Sequence, residues 1–216
     1  MPGTTVEATF AFVDLAGYTA LTEAHGDAHA FAIVQAFKQR TLDVLQPGER
    51  LVKTIGDAVM LAFPTPNAAI TALRRLLTTE RVHEEAVLLP RAGAHHGRAL
   101  AIDGDFYGAT VNLAARVSAH ATPGQLLVTS AAAVAARDEG AVVTHVGAVE
   151  LRNVSEPIDI YDIVVGPTTT STAVDPVCHM RVPSDGDTAV TLMWEGRAVR
   201  FCGLPCVARF AADPRI

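Results

Sequence analysis

Lysine is nearly absent from this chain of 216 residues: Lys38 and Lys53 are the only two among 17 lysine and arginine side chains. Each raises the question why arginine does not stand there, with biased codon usage as the plain answer and a specific role as the other. Basic clusters are lacking too, since none exceeds Arg74-Arg75 and the formal net charge is −6. That excludes a nucleic-acid partner bound by neutralising phosphates, so any phosphate chemistry must use a local site. Long apolar runs are missing: Phe10 to Val13 and Ala58 to Phe63 fall far short of the ~20 residues that cross a bilayer. The N-terminus shows no basic stretch leading into an apolar one. A soluble, cytoplasmic protein with no membrane partner is expected. Cysteine is absent until Cys178, and an odd set of Cys178, Cys202 and Cys206 cannot be wholly paired within the chain. Without an export signal, metal binding or thiol chemistry is the better expectation for them.

Half of the residues are hydrophobic, enough for one good core plus a small appendage. The stretch from Gly166 to Val174 (GPTTTSTAV) is uncharged and rich in threonine, as a linker is. The expected organisation is a domain over residues 1–166, a linker over 167–174 and a cysteine-bearing module over 175–216. Within the first domain, strands are expected at Thr9 to Val13, Glu49 to Thr54, Ala58 to Phe63, Arg91 to His95 and Gln125 to Thr129, with two more between Val142 and Val165. Helices are expected at Ala28 to Leu45, stopped by Pro47-Gly48, at Asn67 to Leu77 and at Gly108 to Ala119. This alternation implies an α/β or α+β sandwich with helices packed over a sheet.

Two carboxylates sit where strands end. Asp14 closes the apolar run FAFV and precedes Leu15-Ala16-Gly17-Tyr18-Thr19, a turn able to open a short helix whose free amides would face whatever Asp14 binds. Asp57 lies in the turn after Ile55-Gly56. Bare charges at the edge of a hydrophobic sheet are costly, and a hard divalent cation offsets that cost; an aspartate in a turn is otherwise ordinary. Asn112 and Arg116, spaced i and i+4, share one face of an alanine-rich helix. They suit an anionic oxygen near a sugar, or are simply a solvent-facing polar stripe. His95 and His96, adjacent on a strand, point to opposite faces and cannot easily share an ion.

The segments FAFVDLAGYTALTE, KTIGDAVMLAF, RAGAHHGRAL and DGDFYGATVNLAARV resemble, in order and approximate spacing, those of class III adenylyl and guanylyl cyclases. The resemblance implies an α+β, ferredoxin-like sandwich of a mainly antiparallel sheet with packed helices. It implies two Mg2+ or Mn2+ ions per active site held by Asp14 and Asp57, with the backbone carbonyl of Leu15 as a further ligand. Gly17, Tyr18 and Thr19 match the turn that holds the triphosphate, and Arg91 matches a phosphate-contacting arginine of some members. Lys53 and Asp105 match the pair that reads the purine; an ammonium offers only donors and a carboxylate only acceptors, which complements adenine and mismatches guanine. Asn112 matches the ribose-orienting residue and Arg116 the residue that meets charge on the reacting phosphate. The implied activity is that of an adenylate cyclase, a lyase converting ATP to 3′,5′-cyclic AMP and pyrophosphate. Each site in that family lies between two protomers, so a homodimer is implied.

The C-terminal segment, with DPVC-M around Cys178, FC-x3-C through Cys202 and Cys206, and a closing Asp213-Pro214, resembles a YHS domain. It departs at His179, where glycine is usual, and at Val199 and Arg200, where aromatics are expected. A module of ~40 residues seldom folds on its core alone, so Cys178, Cys202 and Cys206, with His179 as a possible fourth ligand, could hold Zn2+ or Cu+. Equally, the cysteines could be small buried apolar residues. Two alternatives to a cyclase remain at this stage: a nucleotide-binding regulatory module without turnover, and a metal-sensing protein with a vestigial cyclase domain.

Overall fold

The computed structural model of the chain describes residues 3–82, 88–166, 173–182 and 189–214. The chain runs β1 (Thr4–Leu15), α1 (Tyr18–His25), α2 (Asp27–Val44), β2 (Arg50–Ile55), β3 (Ala58–Phe63), α3 (Pro66–Val82), β4 (Pro90–Ile102), β5 (Asp105–Tyr107), α4 (Ala109–His120), β6 (Leu126–Val128), α5 (Ser130–Asp138), β7 (Val143–Val149) and β8 (Ile158–Ile163). The C-terminal segment adds β9 (Ala173–Val174), β10 (Arg181–Val182), β11 (Val190–Trp194), β12 (Arg197–Phe201) and α6 (Leu204–Ala212).

Period-two alternation in β1 organises the first thirteen elements. Ala11, Val13 and Leu15 point into one core, while Ala8 and Phe10 point into another on the opposite face. β1 pairs antiparallel with β3 and with β4, and the sheet order is β2-β3-β1-β4-β6-β8-β7, with β5 folded back on β4. All these pairings are antiparallel except β4 with β6. Those two strands are parallel because α4 carries the chain back between them, the crossover that parallel pairing requires.

Helices α2, α3 and α5 cover the first core. In α3 the positions Ala69, Ile70, Leu73, Leu76 and Leu77 recur at helical spacing and are all fully buried. Its start is written locally: the Thr65 hydroxyl accepts from the Ala68 amide at 3.2 Å and Pro66 follows, a side-chain cap with proline in the first turn. The opposite face is covered by α4 and the β4–β5 hairpin. Gly93 makes the α4 contact possible, since a Cβ there would lie 2.0 Å from the Ser118 backbone nitrogen. Phe10 and Phe106 meet with ring centroids 5.0 Å apart and pin the hairpin over the sheet. Removing either ring should cost roughly 3–5 kcal/mol.

Several expectations shift in detail. β4 extends from the expected Arg91–His95 to Pro90–Ile102, because its ladder with β1 continues past polar His95, His96 and Arg98. α5 was not expected: its buried side is Ala132, Ala133, Ala135 and Ala136, whose small side chains give little periodic signal. Ala173 and Val174, expected as linker, instead pair with Val182 and Arg181. Residues 167–172 of the expected linker lie outside the described residues. The C-terminal segment packs on the domain before it: Val177, Cys178, Phe201, Cys206 and Phe210 are continuous with the core formed by α1, α2, α3 and the sheet.

Candidate active site and a cysteine–histidine cluster

Asp14 continues the β1 face that carries Phe10 and Phe12, at the end of that strand. Opposite it in register stand Ala58 on β3 and Arg91 on β4, and Asp57 occupies the turn just before Ala58. Burial and the charge of Asp14, with a hydrogen bond between the two carboxyls, push Asp57 up to about 6. Arg91 partly balances the pair, donating through Nη2 to the Asp14 carboxylate at 2.6 Å and through Nε at 2.9 Å. Two carboxyls held this close fit a divalent cation, which would relieve the like-charge strain that one guanidinium leaves.

Leu15 turns its side chain into the core, 2% exposed. The chain then bends at Gly17, whose φ of 90° favours glycine, into α1. Tyr18 packs partly buried on the core and Thr19 is exposed in the first turn of α1, shortly after Asp14 in the chain.

Lys53 lies opposite Met60 in the ladder and so shares the face of Phe10 and Phe12. Its ammonium donates to Asp105 Oδ2 at 2.6 Å, and Nζ also lies 5.8 Å from the centre of the Tyr107 ring. That bond from Lys53, more than the amide of Phe106, holds Asp105 below the usual carboxylate range. With side chains 39% and 25% exposed, such a pair adds under about 1 kcal/mol to stability, too little to explain its placement by folding alone. Asn112 is exposed and Arg116 half-buried on α4. Among the described residues, neither is joined by a hydrogen bond or ion pair to the two carboxylate groups or to Lys53. His95 and His96 have separate partners, Thr129 Oγ1 at 2.7 Å and Thr9 Oγ1 at 3.0 Å, and burial lowers the pKa of His95.

Three free cysteines of the C-terminal segment converge away from these groups. Cys202 Sγ lies 3.6 Å from Cys178 Sγ and 3.6 Å from Cys206 Sγ. The nitrogen that joins them belongs to His25, at the end of α1, with Nε2 3.4 Å from Cys202 and 3.6 Å from Cys206. His179, the expected fourth donor, is not part of this group. It takes a left-handed conformation, φ 59°, and its side chain lies against Gly17: a Cβ on Gly17 would come 2.6 Å from that of His179. Ala16, Gly17, Arg91, Val174 and His179 line a cavity of about 310 Å³ at this junction. Buried Asp175 accepts from the amides of Val177 and Cys202 at 2.8 Å and of Cys178 at 3.3 Å. Burial alone would raise Asp175, but those bonds outweigh it and leave its pKa lowered. A hydrogen bond from the Cys202 thiol draws Cys178 down to about 6, while Cys202 is pushed up.

Residues 3–164 match the family model of the Adenylate and Guanylate cyclase catalytic domain, and the chain belongs to that family. An uncharacterised protein of Mycobacterium tuberculosis is 42% identical over 117 residues, 54% of this chain and 31% of its own length. An adenylate cyclase of Glutamicibacter nicotianae is 35% identical over 133 residues, 61% of this chain and 33% of its own. The chain thus spans about a third of these curated relatives. An adenylate cyclase of Trypanosoma brucei, solved in its monomeric state, superposes with a TM-score of 0.67 at 27% identity, covering 75% of this chain and 89% of that one.

Proposed function

We propose that this chain is an adenylate cyclase that closes ATP to 3′,5′-cyclic AMP at sites shared between two copies of itself. The observation that carries the proposal is the joint presence of a paired-carboxylate site, Asp14 at the end of β1 with Asp57 in the β2–β3 turn, and an ammonium–carboxylate pair, Lys53 on β2 with Asp105 on β5. The reaction forms a bond from the ribose 3′ oxygen to the α-phosphorus and breaks the bond to the bridging oxygen, releasing pyrophosphate and a proton to solvent.

Asp14, Asp57 and the Leu15 carbonyl would hold Mg2+ or Mn2+, two ions per site, which supply charge neutralisation and acidify the attacking hydroxyl. The chain's own groups do the rest. Lys53 donates to adenine N1 while Asp105 accepts from the exocyclic amine, and guanine would present the opposite pattern to both. Asn112 orients the ribose, and Arg116 stabilises charge that develops on the reacting phosphate. The turn of Gly17, Tyr18 and Thr19 offers amides to the triphosphate. Arg91, which donates to Asp14, would be the residue placed to meet a phosphate oxygen.

Sharing between protomers follows from the family resemblance, and exposed Ile55 and Tyr107, 50% accessible each beside Lys53 and Asp105, supply apolar surface that a second copy would bury. The C-terminal segment, with its YHS-like motif, is read as a metal-responsive regulator of this activity. Purified chain given ATP with Mg2+ or Mn2+ should form cyclic AMP and pyrophosphate in equal amounts. ATP binding without pyrophosphate release, with both metals and across protein concentrations, would instead assign a nucleotide-binding module.

A further inference from the structure

We propose that Cys178, Cys202, Cys206 and His25 bind one zinc ion, and that this ion fastens the C-terminal segment to α1 of the cyclase domain. The proposal takes the three thiols from the regulatory reading above but does not depend on turnover.

The four donor atoms all lie within 4.8 Å of one another. A tetrahedral zinc with Zn–S of about 2.3 Å and Zn–N of about 2.0 Å has S···S edges near 3.8 Å and S···N edges near 3.5 Å. Four of the six edges match: Cys202 Sγ lies 3.6 Å from each of the other two sulfurs, and His25 Nε2 lies 3.4 Å from Cys202 and 3.6 Å from Cys206, with the remaining two edges inside the 4.8 Å limit. The sulfurs are also too far apart for disulfides, which need about 2.05 Å. Three thiolates and one imidazole form a closed four-coordinate set, a structural zinc arrangement. Binding is a plain exchange, in which zinc takes three thiolates and neutral His25 while the thiol protons pass to solvent.

The surroundings support the donors. Asp175, fully buried, fixes the backbone at Cys178 and at Cys202 through the amides it accepts, setting both ligand-bearing turns from one residue. Cys178 and Cys206 are fully buried and Cys202 and His25 half-buried, so most of the donor set is withdrawn from solvent.

What makes the ion a clasp is the origin of His25. α1 has eight residues and is therefore about 12 Å long, and the C-terminal segment touches both of its ends: the cysteines at His25, and His179 at Gly17. Zinc at one end would thus hold His179 over the turn that opens the other, beside Asp14.

The test uses the full chain purified under reducing conditions. Zinc content should be one per chain by mass spectrometry, and cobalt substitution should give intense sulfur-to-metal bands with a four-coordinate pattern. His25→Ala should weaken zinc at least ~10-fold in chelator competition and alter the cobalt spectrum. His25→Cys should restore tight binding, which a packing role for the imidazole would not do. His179→Ala should leave zinc affinity within about twofold, since that side chain lies outside the donor set. Chelating zinc from the wild-type chain should lower its thermal unfolding midpoint. Zinc retained unchanged in His25→Ala but lost in Cys202→Ser would overturn the clasp while leaving a metal site within the segment. No bound zinc, or binding of Cu+ alone, would overturn it outright.

Discussion

The paired carboxylates and the cysteine–histidine cluster meet the same electrostatic problem with opposite chemistry. At Asp14 and Asp57, hard oxygen donors stand partly open at the end of a sheet, with Arg91 as a resident counter-charge. At Cys178, Cys202, Cys206 and His25, soft donors are more enclosed, with Cys178 and Cys206 fully buried and Cys202 and His25 half-buried. Openness suits a cation that must share its coordination with a substrate; closure suits one that only holds chain segments together. The difference teaches which site is expected to turn over and which to brace.

The sharpest way to break this contrast is to delete one site and read the other. Asp57→Ala should lower turnover on the order of a thousandfold, the scale of losing several kcal/mol of transition-state stabilisation, while zinc stoichiometry stays at one. Loss of zinc in that variant would mean that the two sites are not separate. Conversely, Cys202→Ser should release the zinc and lower the unfolding free energy of the chain by roughly several kcal/mol, with Mn2+ affinity at Asp14 and Asp57 intact.

A smaller effect separates the two by pH. Asp57 is raised from 3.8 to about 6, so the folded chain binds more protons than the unfolded one between those values. Two consequences follow in sign. Metal-free stability should fall as pH rises through that window, and Mn2+ affinity should weaken as pH drops below about 6, where protons compete for the carboxylate. Mn2+ titration by electron paramagnetic resonance from pH 5 to 8 would check the second, and Asp57→Asn should remove the dependence. The smallest change is His179→Gly, which relieves a left-handed histidine at a cost of ~1 kcal/mol or less in either direction, with zinc retained.

The sequence was most readable where a pattern is local. The strand at Thr9 to Val13, the body of α3 and the Asp14 to Thr19 turn each depend on neighbours a few residues apart. The pairing of Lys53 with Asp105 was legible only through resemblance, since the two are 52 positions apart and no spacing rule joins them. His25 was not legible at all. It ends a short helix that no cysteine motif flanks, and its thiol partners lie at least 153 positions on. The left-handed conformation at His179 and its place against Gly17 were not legible either, since both depend on how the C-terminal segment packs on α1.

The central claim is that each active site takes Asp14 and Asp57 from one subunit and Lys53 and Asp105 from another. Mixing Asp14→Ala chains with Lys53→Ala chains, each inactive alone, tests it most directly. Random pairing makes half of the dimers mixed, each with one intact site, so cyclic AMP formation should return to about a quarter of the wild-type rate. Mixtures that stay as silent as either variant alone, although the chains demonstrably pair, would contradict the shared site.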